Sequence, residues 1–188
     1  MTTAQRTTLM TYTDLAPARA DLIAAYTDVR GELLHLPNYT VSAFTERLDR
    51  HGSEPGWAAV LAYTDGGKPV GYAYGNVIEG ENRWWKRISP TPALEYTAQP
   101  VVALKELGVT VPWRKTGTSR RLHDALLAAY SAKPYVSLMV NPAAGEGKVQ
   151  QLYESWGYWG IGVSHPAPHS PILTAMIRPT SGHAVAPY

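Results

Sequence analysis

The feature that most constrains this chain is the run from Val101 to Tyr130, because a strand signal, a stop, a basic turn and a helix signal follow one another there in quick succession. Val101 to Val109 is β-branched and apolar, and Pro112 ends the strand. Beyond the turn, apolar positions recur with helical spacing at Leu122, Ala125, Leu126, Ala129 and Tyr130, and Thr118 or Ser119 is placed to cap that helix. The first turn of a helix leaves backbone N–H groups unpaired and carries the positive end of the macrodipole, so an anion is stabilised there. Gly117 lets the turn adopt positive φ and lets a phosphate oxygen approach the main chain, while Arg114, Lys115, Arg120 and Arg121 add charge around it. The pyrophosphate of a nucleotide-containing cofactor fits this description. A plain strand-to-helix connection with a solvated basic face fits the local residues too.

A resemblance separates the two. Arg114-Lys115-Thr116-Gly117-Thr118-Ser119 resembles the Arg/Gln-x-x-Gly-x-Gly/Ala signature of the GNAT N-acetyltransferase superfamily, and Glu106-Leu107-Gly108-Val109 stands where that family has the preceding strand. Leu152-Tyr153-Glu154-Ser155-Trp156-Gly157-Tyr158 resembles the family's later Leu-Tyr-Glu-x-x-Gly-Phe motif, in the expected order. The match runs from Trp57 to Ile177 and is most specific from Val101 to Gly160. It departs from the family at Thr118-Ser119, and again between Asn141 and Tyr153, which is about two residues longer than the usual spacing and richer in glycine.

At 188 residues the chain reads as a single domain over 1–188, with 1–7 and 180–188 as frayed ends, and its 45% hydrophobic and 17% charged residues are those of a chain that folds. No apolar run is long enough to span a bilayer, and the first residues lack a signal-peptide core, so no membrane partner and a cytoplasmic location are expected. The absence of cysteine excludes a disulfide framework, a thiolate nucleophile and a Cys-ligated zinc. His165, His169 and His183 have no spacing that makes a metal site, and no metal is expected. A net charge of +2 is too slight to imply nucleic acid by itself.

Elsewhere the pattern predicts a first strand at residues 9–13, then a helix capped by Asp14 that buries Ala18, Leu22, Ala25 and Tyr26 and runs towards Leu34. A second helix spans residues 41–50 with Phe44 and Leu48 inward. Residues 57–63 and 69–77 form a hairpin across Asp65-Gly66-Gly67. Residues 78–100 read as a long loop containing Arg83-Trp84-Trp85-Lys86-Arg87, which either contacts substrate or covers the sheet. Residues 135–140, 159–163 and 172–177 are strands, and between the first two lies a helix with Val149, Leu152, Tyr153 and Trp156 on one face, ended by Gly157.

The resemblance implies a mixed α/β GNAT fold, with a central mixed, largely antiparallel sheet flanked by helices. It also implies direct attack of an amine on an acyl-CoA thioester, with acetyl-CoA as co-substrate. The cofactor contacts it implies are the main chain at Val109 and Val111, the loop Arg114, Lys115, Thr116, Gly117, Thr118, Ser119 and Arg120, and Asn141. By carry-over the Val109 amide faces the thioester oxyanion and Tyr153 protonates the leaving thiolate. Glu106 is the candidate base, with Glu95, His35 and an ordered water behind it. His35, Tyr39, Trp84 and Trp85 are candidates for contact with the acceptor, a small-molecule or peptide amine. A homodimer through sheet edges is compatible with this reading. Two rivals keep the fold. In one, aminoacyl-tRNA is the donor, favoured by residues 83–87 and a pI near 8.8. In the other, the chain binds acyl-CoA without catalysis, favoured by Thr118-Ser119 and the lengthened loop after Asn141.

Overall fold

The computed structural model describes residues 6–181. Of the ends expected to fray, 1–5 and 182–188, including His183, lie outside the described residues, whereas Thr7 and Thr180 are buried. The chain divides into two compact units. One holds the residues up to Asn76 together with Lys105–Ala129, and the other holds Val77–Leu104 together with the residues from Tyr130 on.

The first unit contains β1 (Thr8–Tyr12), α1 (Leu15–Val29), α2 (Val41–Gly52), β2 (Ala58–Tyr63), most of β3 (Pro69–Ile78), the second half of β5 (Val101–Val109) and α5 (Thr118–Ala129). The second contains α3 (Arg83–Lys86), β4 (Ile88–Ser89), α4 (Leu94–Thr97), the first half of β5, β6 (Tyr135–Val140), α6 (Lys148–Ser155), β7 (Trp159–Ser164) and β8 (Leu173–Pro179). The eight strands are ordered β1-β2-β3-β5-β6-β8-β7-β4. Pairing is antiparallel for β1 with β2, β2 with β3, β6 with β8, and β7 with both β8 and β4. β5 and β6 are parallel, in register only at Val102↔Val136 and Ala103↔Ser137. The sheet is therefore mixed and largely antiparallel, as expected.

In the first unit, α1 buries Ala18, Leu22, Ala25, Tyr26 and Val29, one helical stripe, against α2's Phe44 and Leu48 and the sheet's Leu61, Tyr72 and Tyr74. The Tyr26 and Phe44 rings stack at 3.8 Å with 2° between their planes. Asp14 occupies the N-cap position of α1 without a side-chain cap bond, while Thr40 caps α2 by accepting from the Ala43 N–H at 3.2 Å. α1 does not run on towards Leu34. Arg30 leaves helical geometry, its N–H bonding back to the Tyr26 carbonyl at 2.9 Å, and Gly31 opens a 3-10 turn (Gly31–Leu33). The β2–β3 hairpin forms where Asp-Gly-Gly placed it, with the Thr64 N–H on the Lys68 carbonyl at 3.0 Å and Gly67 at φ +77°.

In the second unit the segment 78–100 is not a loop throughout, since it carries α3, β4 and α4. Trp85, Ile88 and Tyr96 bury themselves against Ile78, Val101, Ala103, Ala175 and Ile177, and this packing, rather than local propensity, holds four-residue helices in place. The expected apolar face of α6 is corrected too. No residue of that helix is buried, Val149 and Leu152 are exposed, and Trp156 packs only after the helix has ended. Gly157 at φ +88° makes the C-terminal stop, with its N–H on the Glu154 carbonyl at 3.0 Å.

Candidate functional site

The turn after β5 is in the first unit. Thr110 donates its N–H to the Val70 carbonyl at 2.9 Å, which ties the strand end to β3, and a 3-10 turn (Val111–Trp113) follows in which Trp113 is buried and Val111 is exposed. Thr116 then donates its hydroxyl to the Trp113 carbonyl at 2.6 Å and lies 2.8 Å from the Thr118 hydroxyl. Lys115 at φ +60° and Gly117 at φ +84° turn the chain through left-handed conformations. α5 begins at Thr118, and its first turn closes with the Arg121 N–H on the Gly117 carbonyl at 3.1 Å. Gly117 thus occupies the position before the helix, and the cap expected of Thr118 or Ser119 is not made by either as a preceding residue. The amides of Thr118 and Ser119 precede the first intrahelical bond and point out of the helix N-terminus.

The charges around this turn are sorted by their partners. Arg114 and Lys115 are exposed, and Arg114 Nε reaches back to the Val109 carbonyl at 3.4 Å. Arg120 instead pairs with Asp124 at 2.9 Å. Arg121 donates to the Thr7 hydroxyl at 2.9 Å and the Thr7 carbonyl at 3.0 Å, which pins the chain ahead of β1 rather than serving the turn. A hollow of about 300 Å³ lies beside the 3-10 turn, lined by Val111, Pro112, Trp113, Val70 and the Lys68–Asp28 ion pair.

Glu106 lies on the same strand, half-buried, and it is not isolated. Arg47 of α2 donates to Oε1 from Nη2 at 2.9 Å and Nε at 3.1 Å, and the Tyr72 hydroxyl donates to Oε2 at 3.1 Å. Burial, with the Glu106 charge beside them, pushes the Tyr72 and Tyr74 phenols well above their ordinary range. Burial opposes the charge of Arg47, yet the Glu106 carboxylate together with Tyr74 and Tyr26 offsets it, so the guanidinium pKa is raised. His51 contacts the Tyr74 hydroxyl through Nδ1 at 3.1 Å, and burial, then Lys105, Arg50 and Arg47, hold it down to about 3. Lys105 pairs with Glu54 at 3.5 Å. The sequence reading missed Arg30, Arg47, His51, Tyr72 and Tyr74. A signal existed, because Arg47 follows Phe44 by one helical turn and Tyr72 and Tyr74 alternate onto one face of β3. Of the residues expected near the acceptor, His35 is exposed, and Tyr39 is half-buried with the Arg30 guanidinium 5.9 Å from its ring centroid.

The second unit holds the remaining expected residues. Tyr153 is half-buried on α6, edge-on to the rings of Trp156 and Tyr158 at 5.6 Å each. The Asn141 side chain accepts from the Ala143 N–H at 3.0 Å, so it shapes the loop into α6. That loop passes through left-handed Gly145, Glu146 and Gly147, conformations that favour the glycines found there. Trp85 is a core residue, and Trp84 donates its indole N–H to the Ser137 hydroxyl at 3.0 Å, so the indoles cover the sheet. Glu95 accepts a short hydrogen bond from Tyr135, which raises that phenol to about 12. Among the described residues, no three His, Asp or Glu side chains gather as a metal site, and no helix is long and apolar enough to cross a membrane.

No family model matches the sequence, and no curated protein is similar to it in sequence. Solved structures are similar in fold. A GNAT-family acetyltransferase from Staphylococcus aureus Mu50 is 13% identical with a TM-score of 0.62, covering 93% of this chain and 100% of its own. Ard1 from Thermoplasma volcanium is 16% identical with a TM-score of 0.61, covering 92% and 97%. An acetyltransferase from Thermus thermophilus is 15% identical with a TM-score of 0.59, covering 94% and 98%. With nearly full coverage on both sides, this chain has the fold of the GNAT acetyltransferases.

Proposed function

We propose that the chain is an acyl-CoA-dependent N-acyltransferase that moves an acetyl group from acetyl-CoA to an amine of a small molecule or peptide. The observation that carries this reading is the turn at Arg114–Gly117. Two left-handed residues open a twelve-residue helix whose first amides, at Thr118 and Ser119, lie beside the exposed cations Arg114 and Lys115. A pyrophosphate fits such a cradle, held by oriented amides and two charges that no carboxylate occupies in this turn. A Cβ at Gly117 would meet nothing within 4 Å, so there is open space where a ligand oxygen must come.

In this reading the turn and the main chain at Val109 and Val111 position the donor, and the Val109 amide stabilises the developing oxyanion. Glu106 takes the proton of the incoming ammonium. Its two oxygens retain lone pairs beyond those used by Arg47 and Tyr72, and those two donors hold the carboxylate in one orientation. Tyr153 keeps the role that the resemblance gives it, donor of a proton to the departing thiolate. Calorimetric titration with CoA and thiol release from acetyl-CoA in the presence of an amine panel test the proposal. Micromolar CoA binding with amine-dependent thiol release is the expected result, and no CoA binding at all overturns it.

A further inference from the structure

β1 is an edge strand, paired with β2 on one side and open on the other among the described residues. An open edge presents unpaired N–H and C=O groups to any other strand, and folded chains ordinarily blunt it by shortness, lysine, proline or a bulge. The far edge of the sheet is blunted in this way, since β4 is two residues long. β1 is not. Thr8-Leu9-Met10-Thr11-Tyr12 has no charge, proline or glycine, its register with β2 is unbroken, and Met10 at its midpoint is 49% exposed.

The charges stand at its two ends. Arg6 precedes the strand and Asp14 follows it; both are exposed, and neither enters an ion pair among the described residues. Asp14 keeps an extended backbone and makes no cap bond to α1. The Tyr12 hydroxyl lies 3.9 Å from the Met10 sulfur, so these two share a face, and strand alternation adds Arg6, Thr8 and Asp14 to it. Thr7 turns to the other face, where Arg121 meets it.

When a strand pairs antiparallel with its own copy, the contact is isologous and its twofold axis falls at one position. Keeping all five residues of β1 paired puts that axis at Met10, with Thr8 against the partner's Tyr12 and Leu9 against the partner's Thr11. The same register sets Arg6 against the partner's Asp14, and Asp14 against the partner's Arg6. A slip of two residues either way loses both charge pairs, and a parallel pairing opposes like charges. Greatest overlap and charge complementarity thus select one register.

We propose that the β1 edge docks a second copy of this chain, antiparallel about a twofold at Met10, so that two sheets join edge to edge. The inference is independent of the acyltransferase reading. A five-residue edge makes a small interface, so the dimer should be reversible, with a Kd on the order of 1–100 μM.

Sedimentation velocity on the full chain, over concentrations that bracket this Kd, tests it with Met10→Lys, Arg6→Asp, Asp14→Arg and the exchange that combines the last two. Wild type should pass from monomer to dimer as concentration rises. Met10→Lys sets two ammonium groups against each other at the axis and should raise Kd by about 10-fold or more. Each single reversal creates two like-charge pairs and should raise Kd by about 10-fold at low salt, less at high salt, while the exchange should return it to the wild-type value. Thermal denaturation checks that each variant is folded, and Met10→Lys with Arg6→Asp carry the test if Asp14→Arg is not. A wild-type monomer at every concentration overturns the inference and leaves the edge to a different strand. A dimer indifferent to Met10→Lys, a folded exchange no tighter than the single reversals, or growth beyond the dimer, which a closed twofold forbids, overturns it too.

Discussion

Arg47 holds Glu106 from the neighbouring helix, with its Nη2 and Nε 2.9 and 3.1 Å from the same carboxylate oxygen. Both side chains are largely withdrawn from solvent, and removing one strands the other. Arg47→Met should therefore destabilise the chain by about 3–5 kcal/mol, whereas Arg47→Met combined with Glu106→Gln should recover much of that loss. Urea denaturation of the two single variants and the double measures the coupling. Strict additivity would show that the pair is not an energetic unit.

Gly117 is required for its backbone, since a Cβ there would touch nothing but φ is +84°. Gly117→Val should strain the turn and weaken CoA binding steeply while leaving a folded protein. Calorimetric titration measures it, and unchanged affinity in a folded variant rules the turn out as the pyrophosphate cradle.

The limits of the strand before that turn, Val101–Val109, were legible to the residue, because β-branched composition, a proline stop and a glycine turn all agree there. The hairpin was legible for the same reason. Residues 78–100 were not, since α3 and α4 are too short to nucleate alone and exist through the burial of Trp85 and Tyr96 against distant strands. The polar cluster around Glu106 was only half legible. Glu106 could be placed on its strand, but its partner Arg47 lies 59 residues earlier on another element, and no local pattern joins the two. The buried His123 on α5 escaped likewise, because it falls beside the apolar stripe rather than on it.

His51 supplies a pH dependence. Its pKa is held near 3 in the folded chain against 6.5 ordinarily, so between those values the unfolded chain binds a proton that the folded chain does not. Its contribution to stability is full above about pH 6.5 and is lost as pH falls towards 3, by up to about 1.4 kcal/mol per pH unit. His51→Gln should flatten that slope in chemical denaturation between about pH 4.5 and 7. An imidazole that titrates near 6.5 by NMR in the folded protein would contradict it.

Tyr153→Phe keeps the edge-on contacts with Trp156 and Tyr158 and deletes only the hydroxyl. Stability and CoA affinity should hardly change, and kcat should fall by roughly 10²-fold, the low end for general acid catalysis, since a thiolate leaves tolerably without help. Steady-state kinetics on an amine acceptor provide the measurement. A wild-type rate would make Tyr153 a packing residue, and lost CoA binding would make it a cofactor contact.

β2 reads Ala-Ala-Val-Leu-Ala-Tyr, and every one of its residues is buried in the folded chain. In a chain still emerging from synthesis the same run is uncharged, free of proline and rich enough in apolar surface to pair with other copies of itself. One of its two native partners, β3, lies just beyond the Asp65-Gly66-Gly67 turn, so the nearest edge it meets is its own. Hairpins close within microseconds, far faster than encounters between dilute chains, and the turn at Gly67 thereby protects the chain against self-association before the strands beyond β3 exist.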